Sequence, residues 1–228
     1  MPTAACGARV TPAEQVTVPL ALFDFVPVAF GALGALLVAR RTDWLPAYIG
    51  AGLIFAGGFA KASWKFLAAT DIVDIPRLAD SLFPLMGCGF LLLAAAAWGV
   101  RRLTLALGLV GLSVVGVVVP SIAGWFLIAV IIGATALYVA LARDAWSVRD
   151  VRTVALLAVC LAGTYTLGPL AGQEQTLSLQ WIEQSINAVS QAAFAVAAWR
   201  LTRTERSALQ TPNPASSLAS TDSDVPSR

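Results

Sequence analysis

Residues 103–142 read LTLALGLVGLSVVGVVVPSIAGWFLIAVIIGATALYVALA, forty positions without a charged side chain. A helix crosses the roughly 30 Å hydrocarbon core of a bilayer in about 20 residues, so this stretch is long enough for two crossings. Pro120 removes a backbone donor and ends the first of them, leaving Pro120-Ser121 as the connection. Two apolar helices joined this tightly must run antiparallel as neighbours.

Outward from this pair, further apolar runs occur at 18–39, 46–67, 78–100, 153–171 and 177–199, besides 103–119 and 122–142. Only Arg101-Arg102 separates the third run from the fourth. The chain is therefore expected to be all-α, a polytopic membrane protein built as a bundle of seven transmembrane helices. Composition agrees, with apolar types at 58% and charged types at 12%, against roughly 45–50% and about 25% in ordinary globular chains. Most of the surface must then face the lipid bilayer rather than water. The formal net charge of +2 gives no sign of a nucleic-acid partner. Residues 1–17 read as a short extracytoplasmic segment, 18–203 as the membrane domain, and the Ser, Thr and Pro-rich 204–228 as a disordered cytoplasmic tail.

Orientation follows from the basic residues. Arg40, Arg41, Arg101, Arg102, Arg143, Arg149, Arg152, Arg200, Arg203 and Arg206 fall on one side of the seven runs, and only Arg9, Arg77, Lys61 and Lys65 on the other. The positive-inside rule puts the first set in the cytoplasm, giving N-out and C-in topology in the cell membrane. All seven tryptophans lie near span ends: Trp44, Trp98, Trp146 and Trp199 inside, Trp64, Trp125 and Trp181 outside. Indole rings favour the headgroup layer, so this placement supports the same topology independently.

Weak self-similarity appears at an offset near 102. Gly31 to Trp44 aligns with Gly133 to Trp146, Asp80 lies near Glu183, and Trp98 near Trp199. This is the pattern of a 3+1+3 parallel repeat, runs 1–3 and 5–7 flanking a connecting fourth. Parallel repeats occur in several carriers. Composition alone also aligns helices rich in Ala, Leu, Val and Gly.

The chain contains no histidine, which removes the commonest metal ligand and the commonest general base. Cys6, Cys88 and Cys160 suggest neither a disulfide framework nor a zinc site, and the last two fall inside apolar runs. No metal, cofactor or catalytic residue is expected, and no basic segment marks the first run as a cleavable signal.

Charge inside a span costs about 2.5–3.5 kcal/mol at a helix centre on insertion scales, so its positions are candidate functional residues. Asp24, Lys61, Lys65, Asp80 and Glu183 qualify, all in the expected outer half. Lys61 and Lys65 share a helix face and need carboxylates nearby. Interfacial snorkelling is an equal reading for Lys65 and Asp80. In the last run Gln180, Glu183, Gln184, Asn187, Ser190 and Gln191 fall within an arc of about 120° at 100° per residue. Amides in hydrocarbon need partners, so this stripe must face the bundle interior or a wet cavity. Tyr165 lies at the same level. The candidate ligand-binding set is Asp24, Lys61, Lys65, Asp80, Tyr165, Glu183, Gln184, Asn187 and Gln191. Pro27, Pro84 and Pro169 are expected to kink their helices.

The segment Arg77-Leu-Ala-Asp80-Ser-Leu-Phe83 resembles the counterion segment of microbial rhodopsins, which share seven helices and N-out topology. That resemblance implies a second carboxylate on helix 7, matched by Glu183, and a retinal lysine four positions later, where this chain has Asn187. Helix 7 holds no lysine, so light-driven chemistry by that route is excluded. The three-one-three plan resembles PQ-loop and SWEET-type carriers in topology, without a Pro-Gln pair.

The residues point to an outward-facing polar cavity that binds or transports a small polar or ionic ligand, or protons. The rivals are a lipid-active membrane enzyme using paired carboxylates, and a sensor or structural subunit. Nothing in the residues sets the oligomeric state. A phosphatase fused after Asp71 is expected to be active and one fused after Arg149 inactive; the reverse pattern would sink the N-out topology.

Overall fold

The computed structural model describes residues 17–170, 173 and 176–210; the expected outer segment and most of the expected tail lie outside them. Every described element is helical, and each predicted apolar run carries a helix. These are α1 (Val18–Thr42), α2 (Leu45–Ala69), α3 (Pro76–Ala97), α4 (Leu103–Val118), α5 (Phe126–Ser147), α6 (Val151–Leu170) and α7 (Leu177–Gln210), with a 3-10 turn at Pro120–Trp125. α7 thus continues into the stretch expected as tail.

The helix boundaries follow from local chemistry. Pro19, Pro46 and Pro76 each sit in the first turn of a helix, where the missing N–H has no intrahelical partner to lose. Asp43, Gly99 and Arg149 adopt positive φ just past α1, α3 and α5, and Asp71 does so past α2. A left-handed residue reverses the chain and stops the helix within one step.

α1 and α3 are each interrupted once, at Asp24 and at Ser81. In both, a proline follows three residues later, Pro27 and Pro84. Proline cannot donate to the carbonyl four residues before it, so the backbone loosens one turn upstream. Sequence reading expected a kink at Pro27, Pro84 and Pro169; Pro169 lies inside an uninterrupted α6, and nothing in the sequence showed that a carboxylate would occupy one of the other two.

Five helices, α1, α2, α3, α5 and α6, are long and apolar enough to cross a membrane. α4 is shorter, about 24 Å at 1.5 Å per residue, and α7 carries the polar stripe that lowers its hydropathy. Large apolar side chains point outward around the bundle, including Leu33, Phe55, Ile132, Val159 and Val189. Such a surface is compatible with an integral membrane protein and lipid contact.

Packing places α1, α2, α3, α5, α6 and α7 in a ring in that order, closed by α7 against α1, while α4 packs mainly on α3 outside it. Small residues let the backbones approach. A Cβ on Gly50 would lie 2.9 Å from the Gly89 carbonyl oxygen, and one on Gly89 would lie 2.7 Å from that of Gly50, so α2 and α3 meet backbone to backbone. Gly34 receives the Phe194 ring, and Gly133 lies against the α3 backbone at Phe90 and Leu91. The Phe194 and Phe90 rings stack edge-on against Tyr138, with centroids 5.4 and 6.4 Å away.

From this cluster toward the arginine-rich end, the interior is solid. Ala35, Val38, Ala39, Ala47, Leu93, Leu141, Ala145, Leu157 and Ala197 belong to one buried core. Polar ties fasten that end. Arg41 pairs with Asp144 at 2.9 Å, joining α1 to α5. The Trp98 indole donates to the Ala136 carbonyl at 2.9 Å, joining α3 to α5. Arg101 donates to the Thr42 carbonyl.

Asp150, in the turn before α6, accepts from Arg200 of α7 at 2.9 Å and from the Thr153 hydroxyl at 2.6 Å. These hydrogen bonds, chiefly that from Arg200, hold its carboxyl down at about 2, against an ordinary value of 3.8. A depressed carboxylate contributes stability that is full above the ordinary value and lost as pH falls through the folded one. The α6–α7 tie is therefore expected to weaken between about pH 4 and pH 2. Acid unfolding of Asp150→Asn, followed by circular dichroism, should lack that component of the wild-type loss.

Candidate functional site

At the other end the ring opens into a cavity of about 200 Å³, lined by all six of its helices and not by α4. Each polar lining residue is placed by a local feature. Asp24 sits at the interruption of α1, where its side chain turns inward and is 4% exposed. Lys61 and Lys65 lie one turn apart on α2, and both turn toward α1. Lys65 reaches Asp24 Oδ2 with its Nζ at 2.7 Å, both side chains almost wholly buried. Lys61 lines the cavity.

α7 delivers its stripe as its periodicity predicts. Glu183, Gln184, Asn187 and Gln191 line the cavity, while Gln180 and Ser190 are buried against neighbouring helices. On the opposite face Ile182, Val189 and Val196, spaced at seven, are exposed. Ser190 is buried because α6 presents Gly163 to it; a Cβ there would fall 1.9 Å from Ser190 Oγ. The Cys160 thiol donates to the Ser190 carbonyl at 3.3 Å on the same seam.

Three expected site residues, Lys65, Asp80 and Tyr165, are not brought into this wall. Asp80 is exposed at the end of the short first segment of α3, ahead of the Ser81 interruption. Tyr165 is 55% exposed on the outer side of α6, its hydroxyl 3.1 Å from that of Thr135. Lys65 reaches the cavity only through Asp24. Thr164, next to Tyr165, lines the cavity instead, because one residue along a helix turns a side chain by about 100°.

Sequence reading missed Tyr138, which forms part of the wall beside Phe90. It also missed the apolar wall of Phe83, Met86, Leu127, Val130 and Ile131 from α3 and α5. An apolar side chain on an apolar helix looks the same whether it faces lipid or a cavity, so no local signal was there to find.

Electrostatically the site is balanced. Asp24 lies within the fields of Lys65, Lys61 and Glu183, and Lys61 within those of Lys65, Asp24 and Glu183. Two acidic side chains thus lie within reach of two basic ones. Hydrogen bonding is incomplete: among the described residues, Asp24 Oδ1, Gln180 Oε1 and Gln191 Oε1 are buried without a partner. Asp24 and Gln191 both line the cavity, with Gln191 Oε1 turned onto Gly31 of α1. No three His, Cys, Asp or Glu side chains group as a metal site among the described residues.

Comparison of the chain with protein-family models, curated proteins and solved structures gives no match.

Breaking a buried ion pair by removing one partner costs about 3–5 kcal/mol, because the other charge stays buried alone. Asp24→Asn and Lys65→Met are each expected to destabilise the protein by that order in detergent thermal unfolding. The double variant should recover much of the loss; additive losses would show that the two groups do not act as a pair.

Proposed function

We propose that the chain is a seven-helix integral protein of the cell membrane, N-terminus outside, whose outward-facing cavity binds a small polar or ionic ligand for transport or sensing. The observation that carries this reading is the convergence of Asp24, Lys61, Glu183, Gln184, Asn187 and Gln191 on one cavity among otherwise apolar helices. Intramembrane charge is retained where it meets a ligand, an ion or protons.

The two helices outside the five apolar candidates are read as spans for separate reasons. α7 turns its polar residues to the cavity and exposes Trp181, Ile182, Val189 and Val196, a face that lipid would cover. α4 exposes Leu107, Leu112, Val114 and Val118, and the 3-10 turn after it extends its reach. The orientation rests on the arginine excess at the end held by Arg41–Asp144 and Asp150–Arg200. It places the cavity outside and the alanine core toward the cytoplasm.

The 3+1+3 repeat draws support from the ring order. Carrying α1, α2 and α3 onto α5, α6 and α7 maps each neighbouring pair of the ring onto another such pair. A carrier built this way binds its ligand between the repeats.

A lipid-active enzyme finds less support. It requires a carboxylic acid free to give and take a proton, and Asp24 is held by Lys65.

A thermal-shift screen of the purified protein against amino acids, polyols and inorganic ions should find a stabilising solute. Glu183→Gln and Asn187→Leu are expected to weaken that stabilisation by about tenfold in apparent affinity, about 1.4 kcal/mol. Asp80→Asn and Tyr165→Phe, which lie off the cavity, should leave it unchanged. Equal loss in all four would overturn the cavity as the site.

A further inference from the structure

The cavity is chemically two-sided. α1, α2 and α7 supply Asp24, Lys61, Glu183 and Asn187, while α3 and α5 face them with Phe83, Met86, Phe90 and Val130. A ligand that fits must be polar on one side and apolar on the other.

The polar side has two complementary deficits. Lys61 forms no ion pair or hydrogen bond among the described residues, although it lines the cavity. Asp24 gives one carboxylate oxygen to Lys65 and keeps the other, Oδ1, buried and unpartnered. An ammonium without an acceptor and a carboxylate oxygen without a donor are each unfavourable away from water. Lys61 and Lys65 are one turn apart, about 6 Å at 1.5 Å per residue, so the two deficits lie within the reach of one small molecule.

Charge narrows the ligand further. Asp24, Glu183, Lys61 and Lys65 put two acidic and two basic side chains within one another's reach, so a ligand carrying both signs meets a counter-group for each. A neutral hydrocarbon would satisfy neither deficit. Size narrows it again: about 200 Å³ lies below the roughly 300–1,000 Å³ typical of drug-sized ligands.

We propose that this cavity takes a small zwitterion, its ammonium donating to Asp24 Oδ1, its anionic group held by Lys61, and its apolar part against Phe83, Met86 and Phe90. The inference rests on the cavity reading given under Proposed function. Two sources share this chemistry: a free apolar amino acid such as leucine, and the headgroup of phosphatidylethanolamine.

The test uses the full chain with Val130→Cys, its native Cys6, Cys88 and Cys160 replaced by alanine, and follows alkylation by a small thiol reagent. Ile131→Cys provides a second position should the first disturb folding. Leucine is expected to slow labelling in detergent, whereas isoamylamine and isovalerate, each carrying one of its two charges, are not. Lys61→Met should weaken leucine protection by about tenfold, read as the ratio of labelling rates without and with leucine in the same variant. If phosphatidylethanolamine nanodiscs protect and leucine does not, the source is the headgroup. Phosphatidylcholine, whose trimethylated nitrogen has no N–H, should then fail.

Labelling that neither leucine nor phosphatidylethanolamine slows would overturn the zwitterion while the cavity stands. So would protection by isovalerate or isoamylamine equal to that by leucine, or protection unchanged in Lys61→Met. No labelling at either position, with no solute stabilising the protein, would overturn the cavity reading as well.

Discussion

Asp24 and Lys65 meet at 2.7 Å with almost no water around either, and the open end of the bundle is arranged by that meeting. Two charges taken out of water hold together only if geometry is good and their remaining valences are filled. Here the geometry comes from a backbone fault: Pro27 loosens α1 one turn upstream, and Asp24 occupies the loosened position. Holding Lys65 against α1 sets the rotation of α2 about its axis. That rotation carries Lys61, one turn toward the helix centre, onto the cavity wall.

The two ends of the bundle solve the same problem differently. At the arginine-rich end, alanine and leucine fill the ring, and charge is confined to ion pairs at the rim. At the other end bulkier side chains stand apart, and the polar groups that remain inside are only partly satisfied. A filled core needs no ligand; an unfilled polar wall gains free energy from one. The Phe90–Tyr138–Phe194 cluster separates these regimes; the Phe194 ring fits because Gly34 leaves it room, and Gly133 lets α5 come close to the α3 backbone at Phe90.

α7 shows why a hydropathy threshold passes over it. Its residues divide into Glu183, Gln184, Asn187 and Gln191 on one face and Ile182, Val189 and Val196 on the other. Averaged along the chain, such a helix is neither apolar nor polar. Resolved by angle, it is a wall with one wet and one dry side.

The apolar runs, the break at Pro120 and the inward stripe of α7 were all legible in the sequence. Each is a periodic or local property, carried by residues at most a few positions apart. The shared face of Lys61 and Lys65 was legible for the same reason, as was their need for a carboxylate. Which carboxylate answered was not: Asp24 pairs with Lys65, while Asp80 stays outside on a segment cut off by the Ser81 interruption. Tyr165 and Thr164 differ by a single position, and only the rotation of α6 against α7 decides which one faces in. The ring order, with α5 rather than α4 following α3 in the ring, depends on Gly50, Gly89 and Gly133 meeting partners far along the chain. Local chemistry set what each helix is; only close packing between distant small residues decided which helices meet and what space they leave.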